Sequence, residues 1–172
     1  ILTVRLVHRI AALVLIAGGF AHVAGALYQL LVFRLPPYRV LLLSDFRDLL
    51  QDVRYRLGMA NEPPDMGRYT YQEKLLYWAV ITNLLMLILT GLVMWKPILV
   101  TQLLPGEVIP AAKTSHGFET LFLLLVPFGW RVWYVLRQRN LSIFTGTMSE
   151  EAMLHNHPLE WDAIMAGTDR RP

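Results

Sequence analysis

The sequence has no cysteine among its 172 residues. Disulfides, thiolate catalysis, iron–sulfur ligation and zinc–thiolate sites are therefore excluded within this chain, and any metal must be held by histidine, methionine or carboxylate. Charge is scarce, with 17% charged residues against 55% apolar. A mean hydropathy of +0.41 is too high for an ordinary soluble domain and predicts an integral membrane protein. The formal net charge is +3, but the basic residues gather at the ends of apolar runs and form no stripe. That pattern suits membrane topology, and no nucleic acid is expected as a partner. No P-loop, GxGxxG, GxSxG or HExxH pattern occurs, so bond-making chemistry is not expected beyond quinone reduction. Methionine is missing from position 1, and ILTVRLVHR leads straight into an apolar run. The numbering is expected to begin partway through a longer natural chain.

What the chain does have is three long apolar runs, over about residues 7–33, 71–95 and 115–137. Each is long enough as a helix to cross a hydrocarbon layer of roughly 30 Å. The fold class expected is an all-α membrane protein with three transmembrane helices, a cytoplasmic amphipathic helix and a C-terminal tail. The first run ends at Arg34-Leu35-Pro36-Pro37, where two prolines stop a helix. In the loop of residues 36–70, LLLSDFRDLLQDVRYRLG has an amphipathic period. Ser44 or Asp45 is the expected N-cap and Gly58 the stop, and the helix is expected to lie along the bilayer or under a partner. Trp78 and Trp95 mark the two ends of the second span. Pro127 falls inside the third span and predicts a kink there. Residues 1–139 thus form the membrane part, and residues 140–172 a tail that docks a partner subunit, with a short helix over 149–154.

Arg34, Arg39, Arg47, Arg54, Arg56 and Arg68 lie between the first two spans, Lys74 opens the second, and Arg131, Arg137 and Arg139 end the third. Only Lys96 and Lys113 flank the link between the second and third. By the positive-inside rule the first loop and the C-terminus are cytoplasmic. His8 and His116 then share one outer depth. Two histidines at matching depth on antiparallel helices suit a bis-imidazole b-type haem, with Arg5, Arg9 and Lys113 near the outer surface as partners for its propionates. The plain alternative is that both are interfacial histidines bonded to backbone or water.

His22 lies fourteen residues beyond His8 on the same helical stripe, about 21 Å along the axis. Its facing position on the third span is Trp130. It is a candidate second haem ligand with a partner outside this sequence, a proton or quinone group, or a packing residue. Gly18, Gly19 and Gly25 leave room for a flat group or merely allow close helix packing. His155 and His157, in HNHP, suit a docking or capping role better than metal.

MGRYTYQEKLLYW, LTGLVMWKP, SHGFE and GTMSEEAMLHNHPLEW resemble the second half of the gamma subunit of membrane-bound formate dehydrogenase. That subunit is a di-haem cytochrome b related to those of nickel–iron hydrogenases. In the family, G-[KR]-Y-N-x-x-Q-K opens the third span, TG-x-x-x-W-[KR]-P closes it, and a ligand histidine opens the fourth. RLVHRIAAL resembles the start of the second span, which carries another ligand. The resemblance implies that the three runs are spans two to four of a four-helix haem-binding bundle, and that His8 and His116 hold an outer haem b. It also implies a menaquinone site at Tyr69, Thr70, Gln72 and Glu73. The chain departs from the pattern where Trp130 replaces the second histidine of span four, where Thr70 replaces an asparagine, and where HNHP replaces HHP.

The expected function follows from both lines. The chain would be the haem b-binding subunit of a respiratory oxidoreductase complex in a bacterial inner membrane. It would carry electrons from an outer-side iron–sulfur or multihaem cytochrome subunit, attached to a catalytic subunit, to menaquinone or ubiquinone. A haem-free membrane anchor tethering a peripheral enzyme is the alternative.

Overall fold

A computed structural model describes residues 2–34, 38–138 and 145–168, with side chains as far as Leu136 in the middle stretch. The expected Pro36-Pro37 stop, the side chains of Arg137 and Arg139 and the end of the tail lie outside the described residues. Every regular element described is helical: α1 (Leu2–Leu31), α2 (Leu43–Arg56), α3 (Tyr71–Trp95), α4 (Pro97–Thr101), α5 (Val108–Gln138), α6 (Glu150–Asn156) and α7 (Pro158–Met165). α1, α3 and α5 are each long and apolar enough to cross a membrane. The chain is an all-α membrane protein.

Burial is inverted relative to a soluble domain. Among the described residues only Tyr71 and Ala112 are buried hydrophobics, whereas Asp45, Asp52, Thr70, Thr90, Glu119 and His157 are buried polar groups. No residue of α1 is buried, and Leu13, Phe20 and Leu31 are exposed. Lipid is the solvent that such side chains require, while polar groups must find partners inside.

Several element boundaries differ from expectation. α1 starts five residues early, because nothing in residues 2–6 breaks a helix, so Arg5 joins His8 and Arg9 within it; it ends at Leu31. α5 starts at Val108, seven residues early. Pro110 is accommodated because it sits in the first turn, where its missing N–H would have no helical acceptor. The link before it holds α4, opened by Pro97 at its first position. α2 is capped from Leu42, not Ser44 or Asp45. Asp45 acts from the third helical position, its carboxylate accepting from Leu42 N at 2.6 Å. Gly58, at φ 72°, supplies the left-handed turn that ends α2, and Met59 N donates to Arg54 O at 2.8 Å. The short tail helix runs over Glu150–Asn156, with Ser149 Oγ accepting from Ala152 N.

The helices fall into two compact units, one of Ile1–Pro37 with Leu84–Glu119, the other of Tyr38–Asn83 with Thr120–Arg171. In the second unit α2 turns its carboxylates inward. Asp45 pairs with Lys74 Nζ at 2.8 Å, and Asp52 accepts from Tyr71 Oη at 2.5 Å. Both partners belong to the first turn of α3. The outward face of α2 carries Leu43, Phe46, Leu50, Val53 and Leu57, all exposed, at the three- and four-residue spacing of one helical stripe.

Candidate functional site

The first unit contains the start of α1, the end of α3 and the start of α5. His8 and His116 come together there, with ring centroids 6.1 Å apart and planes at 79°. Two imidazoles on opposite sides of one metal, each with a metal–nitrogen bond of about 2 Å, have centroids about 6 Å apart. The pair therefore has the separation that two axial ligands need.

The surroundings of His116 explain how it is held. Gly91 on α3 leaves a notch for the ring, since a methyl group there would stand 3.3 Å from His116 Cε1. Thr90 Oγ1, one residue earlier, lies 2.9 Å from His116 Nδ1, so Nε2 is the ring nitrogen that would take a metal. Thr90 Oγ1 also donates to Glu119 Oε2 at 2.9 Å. Ser115 Oγ donates to Glu119 Oε1 at 2.7 Å, so each carboxylate oxygen has a donor. Arg9 lies over the Trp95 ring at 5.3 Å, which draws the start of α1 to the end of α3. Arg5 and Lys113 are exposed on the same helices as the two histidines. His22 is an exposed residue of α1.

The proposed quinone residues lie in the second unit. Thr70 and Glu73 form a reciprocal cap on α3: Glu73 N donates to Thr70 Oγ1 at 3.2 Å, and Thr70 N donates to Glu73 Oε2 at 3.0 Å. Tyr69 lies under Arg39, 5.4 Å from ring to guanidinium, and Arg39 Nη2 donates to its hydroxyl at 3.4 Å. Gln72 Nε2 reaches Asp52 Oδ2 at 3.5 Å, a weak contact. The four residues are thus neighbours at one helix end, two of them engaged in capping it.

The tail packs on the chain's own connector. His157 Nδ1 lies 2.8 Å from Gly67 O, Leu159 N donates to Met66 O, and Arg68 approaches Glu160 at 3.9 Å.

Thr90 and Gly91 fall in the LTGLVMWKP segment and Glu119 in SHGFE, but no role was expected of any of them. One signal for Glu119 was present: it is the single acidic residue of α5, and a carboxylate within a span needs a role. Asn83 is an amide within a span, with a buried Oδ1 that takes no hydrogen bond among the described residues.

No family model matches the chain. Over 81 residues it is 25% identical to the nitrate-inducible formate dehydrogenase cytochrome b556(Fdn) subunit of Escherichia coli (strain K12), covering 47% of this chain and 37% of that subunit. Over 74 residues it is 33% identical to the formate dehydrogenase cytochrome b556(fdo) subunit of the same organism, covering 41% and 33%. The chain thus spans little more than a third of the length of these curated relatives. Over less than half of its own length, this membrane protein is similar to cytochrome b subunits of formate dehydrogenase.

Proposed function

We propose that the chain is a haem b-binding membrane subunit of a respiratory oxidoreductase complex, carrying electrons between an outer-side redox partner and quinone. The observation that carries this is the His8–His116 pair, 6.1 Å apart at the ends of two membrane helices, in a chain similar to cytochromes b556. When bound, haem b would supply a one-electron centre. The residues that would hold it are His8 and His116, with the Gly91 notch seating the His116 ring, and Arg5, Arg9 and Lys113 would offer cations to its propionates. Quinone would bind at the start of α3, where the Tyr69 hydroxyl and Gln72 amide are polar groups beside the capped helix end, framed by Thr70 and Glu73. His22 is a candidate ligand for a second, inner haem, with a proton or quinone role as the alternative. The first loop and the tail face the cytoplasm of a bacterial inner membrane. There α2 rests its apolar stripe on the lipid, with Arg47 and Arg54 beside it for headgroup phosphates.

An anchor without haem draws support from one observation, that His116 Nδ1 has a hydrogen-bond partner of its own in Thr90 Oγ1. It leaves the approach of His8 unexplained. The two are separated by reducing the purified protein with dithionite and then adding a soluble quinone. Electron transfer predicts a b-type spectrum that the quinone reoxidises, more slowly in Gln72→Ala and Tyr69→Phe variants. An anchor predicts no Soret band at any stage.

A further inference from the structure

We propose that Thr90 and Glu119 are positioning residues for His116, forming a Glu119–Thr90–His116 hydrogen-bonded chain that fixes the ring's proton on Nδ1 and holds down the reduction potential of the bound haem. The proposal rests on haem ligation by His116 and assigns the regulation of that site.

The hydroxyl of Thr90 has one proton and two lone pairs. Four groups surround it: Met86 O at 2.8 Å and Leu87 O at 3.2 Å, Glu119 Oε2 at 2.9 Å and His116 Nδ1 at 2.9 Å. Three of the four are oxygen acceptors, competing for a single proton. With Thr90 Oγ1 donating to Glu119 Oε2 at 2.9 Å, a lone pair remains for the ring. His116 Nδ1 is then the donor, which sets the tautomer in which Nε2 can take a metal. Ser115 steadies the far end by donating to Glu119 Oε1 at 2.7 Å. Thr90 and Glu119 are each only 8% exposed, so these bonds face little competition from water.

Metal-bound histidines usually donate their second ring N–H to a carboxylate, a carbonyl or water, which raises the basicity of the ligand. Here a threonine hydroxyl stands between ring and carboxylate and passes on the polarisation. A more basic ligand stabilises the oxidised iron and lowers the potential. A purely structural role, with Thr90 serving only to join α3 to α5, would leave the potential unchanged wherever the haem is retained.

The test is an optical redox titration of the full-length protein, purified with the haem it acquires in the host membrane. Thr90→Val and Glu119→Gln are expected to titrate at a more positive potential than the wild type, and Thr90→Ser at the wild-type potential, because it keeps the hydroxyl. If Thr90→Val does not retain haem, the potential of Glu119→Gln against that of Thr90→Ser decides the proposal. Wild-type potentials in haem-retaining Thr90→Val and Glu119→Gln would overturn the proposal, as would loss of haem in Thr90→Ser and Thr90→Val alike. Failure of the underlying ligation is recognised separately, by a wild-type protein without a b-type spectrum or by a His116→Ala variant that keeps one.

Discussion

Replacing Gly91 by alanine sets two consequences against each other. An alanine in place of a helical glycine stabilises a helix by roughly 1 kcal/mol. The added methyl would, however, stand 3.3 Å from His116 Cε1, whereas carbon atoms prefer about 3.5–4.0 Å. The ring must therefore retreat by about 0.4 Å, while Thr90 holds its Nδ1 at 2.9 Å from the adjacent residue of the same helix. Overpacking of this kind typically costs about 1–3 kcal/mol. The cost falls mainly on the state in which a metal would also fix His116, since without one the ring can give by that distance about its bond to Thr90. Gly91→Ala should thus leave the thermal stability of the haem-free protein equal to or above that of the wild type. Its haem affinity should fall by about 5- to 150-fold, and Gly91→Val should fall further. The assay is Soret titration of the haem-free protein with hemin, beside a melting curve of the same sample. Wild-type haem affinity in Gly91→Ala would refute the view that the notch seats a ligand.

The remaining predictions concern the second unit. Lys74→Met leaves Asp45, only 6% exposed, without its 2.8 Å partner and should cost about 3–5 kcal/mol in chemical denaturation; Asp45→Asn in the same chain should recover most of it, and additive losses would contradict the pairing. Burial and the neighbouring Asp45 carboxylate, opposed in part by Lys74, raise the pKa of Asp48. A carboxyl whose folded pKa is raised favours folding while it is protonated, so that contribution is full below its ordinary value of 3.8 and is lost as pH rises through the folded value. Asp48→Asn should accordingly raise the melting temperature near pH 7 and lose that advantage below about pH 4; an unchanged difference across pH would exclude this cause. Because the chain has no cysteine, nitroxides can be placed singly on α2. A label at Leu50→Cys should be reached by oxygen in the bilayer and one at Ser44→Cys by a water-soluble relaxant, and equal exposure to water at both would remove α2 from the lipid surface.

The spans were legible because lipid imposes a condition that one side chain after another must meet, and about twenty consecutive apolar residues meet it only as a membrane helix. The approach of His8 to His116 was legible for a related reason: loop charges give the direction of each helix, and direction gives depth. Helix ends were less so. Pro110 looked like part of a link, although a proline in the first turn is harmless to a helix, and Asp45 looked like a cap although it acts from inside the helix. Thr90 and Gly91 stand as the TG of a motif shared with the family, but within an apolar run neither residue has any local mark of facing an imidazole. Their role arises only when α3 and α5 are brought side by side. Glu119 did carry a mark, as an isolated carboxylate in a span. The packing of His157 on Gly67, 90 positions apart, joins segments whose sequences hold no trace of each other.

Most directly, the central claim is tested by a reduced-minus-oxidised optical spectrum with a pyridine haemochrome assay on the purified protein, beside His8→Ala and His116→Ala. Ligation by the facing pair predicts a b-type signal in the wild type and its loss from that site in each variant. No b-type signal in the wild type, or one indifferent to both substitutions, would contradict it.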